Sequence, residues 1–141
     1  GRGIRTEIEF LGAETGARVA AEYGRADLVA GNNVYAHVPD IRDFTAGLAQ
    51  LVKPTGLVTL EFPHLLRLIE RNQYDTIYHE HYQYLTLLTA SRALATGGLT
   101  VVDVDGPGEL NREDIAATQA VQLASGPLCR CRLRTNSLAL S

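Results

Sequence analysis

Three short apolar segments, separated by longer helical patterns, constrain the fold of this chain more than any other feature. These segments cover residues 26–30, 57–60 and 99–104. Short, predominantly apolar runs of this length are typical of buried strands. Apolar residues at helical spacing predict helices over residues 13–23, 40–52, 64–71 and 89–96. This order predicts an α/β fold, with mostly parallel strands and helices on both faces of the sheet.

The helix–strand pattern stops after Asp105, so we divide the chain into a core over residues 1–105 and a C-terminal tail over residues 106–141. The tail carries a weak helical pattern over residues 112–124, and residues 129–141 show no apolar period. The chain contains no Met. We therefore expect it to be a piece of a longer protein, with a tail that fits the core poorly.

Composition excludes several functional classes. The net charge of −3 provides no basic surface for nucleic acid. No apolar stretch is long enough to cross a bilayer, and the sequence does not start with a signal-peptide pattern. We therefore expect a cytoplasmic protein without nucleic-acid or membrane partners, which self-associates if its sheet edges are exposed. Cys129 and Cys131 lack nearby partner ligands and are interpreted as incidental thiols.

Polar side chains follow two of the predicted strands at the point where each strand ends. Asn32, Asn33 and His37 come after the first strand, and Glu61 and His64 come after the second. Ligands of open α/β sheets bind beyond the carboxyl ends of the strands. The sequence therefore predicts a polar site at this edge. Taken singly, each residue also fits a turn, a helix cap or a structural contact.

The segment Tyr78-His79-Glu80-His81-Tyr82 is the richest in chemically useful groups. Histidine is the usual general base near neutral pH, and neighbouring carboxylates or phenols can orient its ring. If the segment is helical, Tyr78 and His81 are neighbours, which suits acid–base chemistry. If it is extended, His79 and His81 share one side instead, which suits a metal. A polar loop packed by its tyrosines is a third interpretation.

Three motifs together resemble the S-adenosylmethionine-dependent sugar C-methyltransferases, which act on nucleotide-linked keto-deoxysugars. The motifs are Asn32 to Asp40 (NNVYAHVPD), Glu61 to His64 (EFPH) and Tyr78 to Tyr82 (YHEHY). The resemblance extends over about residues 3–105, in the family's order. It implies the second half of a Rossmann-like class I methyltransferase core that binds S-adenosylmethionine. Zinc belongs to the family's N-terminal region and is not expected in this chain.

The resemblance also implies roles for individual residues. His81 is similar to the base that removes a proton from the carbon beside the sugar ketone, and Tyr78, Glu80 and His37 match other catalytic-pocket positions. Asn33 matches a position close to the methyl donor, and Phe10 borders its adenine. The full expected site adds Asn32 for the cofactor and Glu61, His64 and His79 for the substrate.

Two alternatives to a methyltransferase follow from the same residues. A metal-dependent hydrolase or metal-binding module would use His37, His79, His81 and a carboxylate, since these are suitable zinc or iron ligands. A truncated, non-catalytic domain is the other alternative, because half a nucleotide-binding sheet exposes apolar surface that needs covering. The resemblance also implies a glycine-rich loop that holds the methyl donor, and this loop is missing from these 141 residues. We therefore expect them to bind S-adenosylmethionine weakly or undetectably.

Overall fold

The computed structural model describes residue 3, residues 5–105 and residues 129–136, with side chains up to residue 104. The predicted weak helix over residues 112–124 lies outside the described residues. The elements in chain order are α1 (Ala13–Tyr23), β1 (Ala26–Asn32), α2 (Ile41–Leu51), β2 (Val52–Pro63), α3 (Leu65–Glu70), a 3-10 turn (Tyr74–Thr76), α4 (Leu87–Thr96), β3 (Leu99–Asp105) and β4 (Cys129–Asn136).

Helices α2 and α4 begin where the side chain of the N-cap residue satisfies backbone N–H groups of the first turn. Asp40 caps α2, and its carboxylate accepts from the N–H groups of Arg42 and Asp43 at 3.0 Å each. The predicted start of the last helix, at residue 89, was wrong, because α4 begins at Leu87. Thr86 is the cap, and its hydroxyl accepts from the Thr89 N–H at 3.1 Å while Thr89 accepts from the Thr86 N–H at 2.9 Å.

The four described strands form one parallel sheet in the order β1-β2-β4-β3. This confirms the predicted α/β class with parallel strands. The sequence predicted no strand after Asp105, yet β4 lies between β2 and β3, so a central strand comes from the tail. Main-chain hydrogen bonds to both neighbours hold such a strand, and they do not depend on an apolar period.

The apolar core lies on one face of the sheet. Val58, Leu60 and Phe62 of β2 are buried there against Phe44 and Leu48 of α2, and α4 joins the same cluster through Leu87, Ala90 and Leu94. The helices that bury residues in this core, α2 and α4, therefore share one face. In the parallel register Leu28 pairs with Leu57 and points to the opposite face, where its side chain is exposed.

Helices α1 and α2 pack with their backbones in contact. A Cβ atom added at Gly16 would lie 2.5 Å from the carbonyl oxygen of Gly47, and one added at Gly47 would lie 2.6 Å from that of Gly12. Neither position has room for a methyl group. Glycine at these positions therefore allows the two helix backbones to pack directly against each other.

A buried hydroxyl pair connects that loop to α2. The Tyr35 hydroxyl lies 2.9 Å from the Thr45 hydroxyl, which donates to the Ile41 carbonyl at 2.6 Å, so Tyr35 is the donor to Thr45. We expect Tyr35→Phe to lower the free energy of unfolding by about 1–2 kcal/mol, because Thr45 loses a buried partner. Urea unfolding measures this change. The control Tyr82→Phe, at an exposed ring, should change stability by less than about 0.5 kcal/mol. Equal effects would contradict the buried bond.

The phenol of Tyr23 is expected to lose its proton at a higher pH than an ordinary tyrosine. The neighbouring Glu22 carboxylate is the largest cause, followed by partial burial and by the carboxylate of Glu7, whose Oε1 accepts from the Tyr23 hydroxyl at 3.3 Å. Together they raise the pKa of Tyr23 from 10.0 to about 12. The folded state favours the neutral phenol, so this stabilisation is present below pH 10 and is lost as the pH rises through about 12.

Phenolate absorbance, compared between the wild type and Tyr23→Phe, isolates this titration. Glu22→Gln should lower its midpoint towards the ordinary tyrosine value. The charge-matched control Glu14→Gln, earlier in the same helix, should leave the midpoint unchanged. An unchanged midpoint in Glu22→Gln would contradict the assigned cause.

Candidate active site

Strands β1 and β2 end side by side and bring polar residues to one edge of the sheet. Asn32 pairs in register with Glu61, and the N–H of Asn33 donates to the Glu61 carbonyl at 2.9 Å. Asn33 adopts a left-handed backbone, with φ of 52°, which Asn tolerates better than most residues. Asn32, Asn33 and Glu61 therefore lie together at the carboxyl end of the sheet.

A tight turn after Asn33 presents His37. The His37 N–H donates to the Val34 carbonyl at 2.9 Å. Tyr35 and Ala36 form the middle of this turn, and their burial in the core holds the turn in place. His37 itself is only partly buried, so its imidazole remains within reach of a ligand.

The motif at residues 78–82 also contains a turn. The His81 N–H donates to the Tyr78 carbonyl at 3.1 Å, and His79 and Glu80 occupy the exposed corner. The segment is thus neither a helix nor a strand. Its effect on side chains matches the helical alternative, because Tyr78 and His81 contact each other with ring centroids 4.4 Å apart.

Two hydrogen bonds join the turn at residues 34–37 to the turn at residues 78–81. The Gln83 N–H donates to the Ala36 carbonyl at 3.0 Å, and His37 Nδ1 lies 2.9 Å from the Glu80 carbonyl oxygen. The imidazoles of His37 and His81 are consequently 4.6 Å apart between centroids. The structure therefore brings together two histidines that are 44 positions apart in the sequence.

The surroundings of His81 determine which of its ring nitrogens can act as a base. Nδ1 lies 2.8 Å from the Thr76 carbonyl oxygen, which only accepts, so Nδ1 carries the hydrogen. In the neutral ring Nε2 then holds the lone pair, and the Tyr78 hydroxyl at 3.3 Å donates to it. The side chain is nearly enclosed, since His81 is 9% exposed. This tautomer leaves Nε2 as the proton acceptor.

The same reasoning applies to His37. Its Nδ1 donates to the Glu80 carbonyl, so Nε2 accepts in the neutral ring and donates only in the charged ring. This contact uses the main-chain carbonyl of Glu80, not the carboxylate, which lies on an exposed residue. Glu80 thus orients an imidazole through its backbone carbonyl, whereas the sequence pointed to a carboxylate in this role.

The remaining predicted site residues lie in different surroundings. His79 is exposed at the outer corner of its turn. Phe10 is 96% exposed, in the extended segment before α1. His64 is buried, and its Nε2 accepts from the Leu87 N–H at 3.1 Å, so it fixes the start of α4. This hydrogen bond gives His64 a structural role at the start of α4, whereas its side chain does not cap α3, the helix that follows it.

The metal alternative gains no support from this geometry. Within residues 5–105, the part of the chain whose side chains are almost fully described, no group of three or more His, Cys, Asp or Glu residues is arranged to hold a metal ion. Both ring nitrogens of His81 already have protein partners.

None of the described helices has the length and apolarity that a membrane span requires.

A pocket that the sequence did not predict opens beside the histidines. Its volume is about 300 Å³, and it is lined by Leu65, Leu68, Ile69, Tyr74, Ile77 and Tyr84, with the side chain of Gln73. Tyr84 also meets the edge of His81, with ring centroids 5.9 Å apart at 86°. The apolar residues of α3 predicted a helix over residues 64–71, but no local sequence pattern indicated a cavity beside it.

The fold and this site define an α/β class of protein with a cluster of two histidines and a tyrosine at the carboxyl edge of a parallel sheet. A family model described as a methyltransferase domain matches residues 6–104, so the chain belongs to the methyltransferase domain family. C-methyltransferase NovU of Streptomyces niveus is 41% identical over 103 residues, which are 73% of this chain. These residues span 24% of NovU, about a quarter of that protein's length.

Proposed function

We propose that this chain carries the proton-abstracting site of a carbon methyltransferase. The reaction would transfer a methyl group from S-adenosylmethionine to the carbon beside the ketone of a nucleotide-linked keto-deoxysugar. The family match and the similarity to a C-methyltransferase support methyl transfer to carbon. The observation that carries the proposal is the fixed tautomer of His81, whose Nε2 is left as the proton acceptor.

His81 acts as the general base. A carbon-bound hydrogen beside a ketone is weakly acidic, so it leaves only towards a positioned base while charge develops on the ketone oxygen. Thr76 holds the His81 ring through Nδ1 and keeps the lone pair on Nε2. General base catalysis of this kind contributes roughly 10²–10⁴-fold to a rate.

Tyr78 stabilises the enolate oxygen that forms as the proton leaves. Its hydroxyl contacts His81 Nε2 at 3.3 Å, a long hydrogen bond that a substrate can displace. Once Nε2 has taken the proton it becomes a donor, and the hydroxyl is released to donate to the oxyanion. His37 can donate from Nε2 only as an imidazolium, so Tyr78 serves as the neutral donor.

The methyl donor requires polar and aromatic partners at the same sheet edge. The exposed amides of Asn32 and Asn33 and the exposed ring of Phe10 fit the hydrogen-bonding and stacking groups of S-adenosylmethionine. When bound, S-adenosylmethionine supplies an electrophilic methyl group that the enolate carbon receives. Glu61 and His79 are proposed as substrate contacts, whereas His64 acts by positioning α4.

Product analysis tests the proposed function. A methyltransferase containing these residues and its methyl-donor site would be incubated with ¹³C-methyl S-adenosylmethionine and a nucleotide-linked keto-deoxysugar. Carbon NMR should show the label bonded to the carbon beside the ketone. The matched control is the same sugar with its ketone reduced to an alcohol, which should gain no label. Label on oxygen, or methylation of the reduced sugar, would contradict the proposal.

A further inference from the structure

We propose that the apolar pocket beside His81 receives the deoxygenated edge of the sugar and makes the site selective for deoxysugars. This inference rests on the proposed function and extends it to substrate specificity. It assigns a binding role to Ile69 and Ile77, which line the pocket and which the motifs do not include. These residues are 60% and 64% exposed, and with the other lining residues they form one contiguous apolar patch, a feature that commonly marks a binding site.

The pocket wall suits carbon–hydrogen surface. Aliphatic side chains form most of it, and the rings of Tyr74 and Tyr84 add flat aromatic surface. A sugar edge without hydroxyl groups can be buried against such a wall without losing hydrogen bonds to water. A hydroxylated edge would lose them, because the surface exposed to the pocket is apolar.

The location of the pocket ties it to the reacting carbon. Tyr84 forms part of its wall and also contacts His81. Ile77 lines the pocket and directly follows Thr76, whose carbonyl fixes the His81 ring. A group held in the pocket is therefore separated from the base by a single aromatic ring.

The size of the pocket decides which part of the substrate it accepts. At about 300 Å³ it lies at the small end of ligand sites, so it takes a group about the size of one ring and not a whole nucleotide-linked sugar. The nucleobase is separated from the reacting carbon by a pentose and a diphosphate. The sugar's own edge is therefore the group that fits beside the base.

Binding of simple sugars to the 141-residue chain tests the inference without methyl transfer. The probes are a methyl 6-deoxyhexoside and the methyl hexoside of identical configuration that retains the hydroxyl. Isoleucine methyl NMR follows the titration, with Ile41 in α2 as an internal reference outside the pocket. We expect shifts at Ile69 and Ile77 and about 10-fold or greater preference for the deoxy probe. Equal affinities, or no shifts at these methyl groups, would overturn the inference.

Matched variants locate the binding site. Ile77→Ser and Ile69→Ser place a hydroxyl on the pocket wall. Both positions are exposed, so both variants should fold. The preference for the deoxy probe should fall to within about 2- to 3-fold, because the added hydroxyl can pair with that of the hexoside. Ile8→Ser makes the same change at a 95% exposed residue away from the pocket and should retain the preference. An undiminished preference in both pocket variants would overturn the inference.

His81→Ala separates this inference from the proposed function. It removes the base but leaves the aliphatic wall, so selective binding of the deoxy probe should persist. Loss of proton abstraction with retained selectivity supports both ideas. Retained proton abstraction in His81→Ala would refute the role of the base and leave the pocket assignment standing.

Discussion

Replacing His81 by alanine is expected to reduce the rate of methyl transfer about 10²–10⁴-fold, because the reaction loses its positioned general base. Affinity for S-adenosylmethionine should be unchanged, since His81 contacts Tyr78, His37 and Thr76 and not the expected donor residues. Steady-state rates and calorimetric titration, both on the methyltransferase with its donor site, measure the two quantities.

A control variant separates loss of the base from general disturbance of the loop. Asp75→Ala changes an exposed residue of the preceding 3-10 turn and should keep the rate within a few-fold of the wild type. If Asp75→Ala and His81→Ala lost the same activity, the damage would be structural. Wild-type turnover by His81→Ala would remove this residue from the base role.

The second large effect is expected at Phe62, on stability. Its side chain is 0% exposed, and its ring lies 6.0 Å from that of Tyr35, directly below the turn that carries His37. Phe62→Ala should lower the free energy of unfolding by about 3–5 kcal/mol, because it removes buried apolar surface and leaves a cavity. Urea unfolding monitored by circular dichroism measures the change.

Phe10→Ala is the matched control, because it makes the same substitution at a ring that is 96% exposed. It should change the free energy of unfolding by less than about 0.5 kcal/mol. A loss of stability at Phe10 comparable to that at Phe62 would mean that the core does not lie where the structure places it.

Most of the fold could be predicted because the four α-helices and the strands β1, β2 and β3 each carry a local signal. The apolar spacing of α2, its cap at Asp40 and the short apolar run of β1 are all visible in the sequence. Strand β4 has no such signal, since its place in the sheet depends on backbone pairing with β2 and β3. Likewise the start of α4 depends on the reciprocal Thr86–Thr89 cap, which two nearby threonines left ambiguous.

The part of the candidate site that lies at the carboxyl ends of the parallel strands could be predicted from the sequence. The carboxyl-end rule brought Asn32, Asn33 and Glu61 to one edge, and the structure agrees. The tautomer of His81 was not predictable, because a main-chain carbonyl of Thr76 sets it. The sequence places His64 directly after the second strand, at the same sheet edge. Its burial against α4 depends on tertiary packing, which a local sequence pattern cannot predict.

The proposed base, Nε2 of His81, should remove a proton from the carbon beside a ketone even when no methyl donor is present. Solvent exchange tests this: the 141-residue chain is incubated in D₂O with a nucleotide-linked keto-deoxysugar, and NMR follows the hydrogens at that carbon. We expect enzyme-dependent replacement of one hydrogen by deuterium in the wild type and exchange at the uncatalysed rate in His81→Ala. Exchange at the wild-type rate in His81→Ala, or at the uncatalysed rate in the wild type, would contradict it.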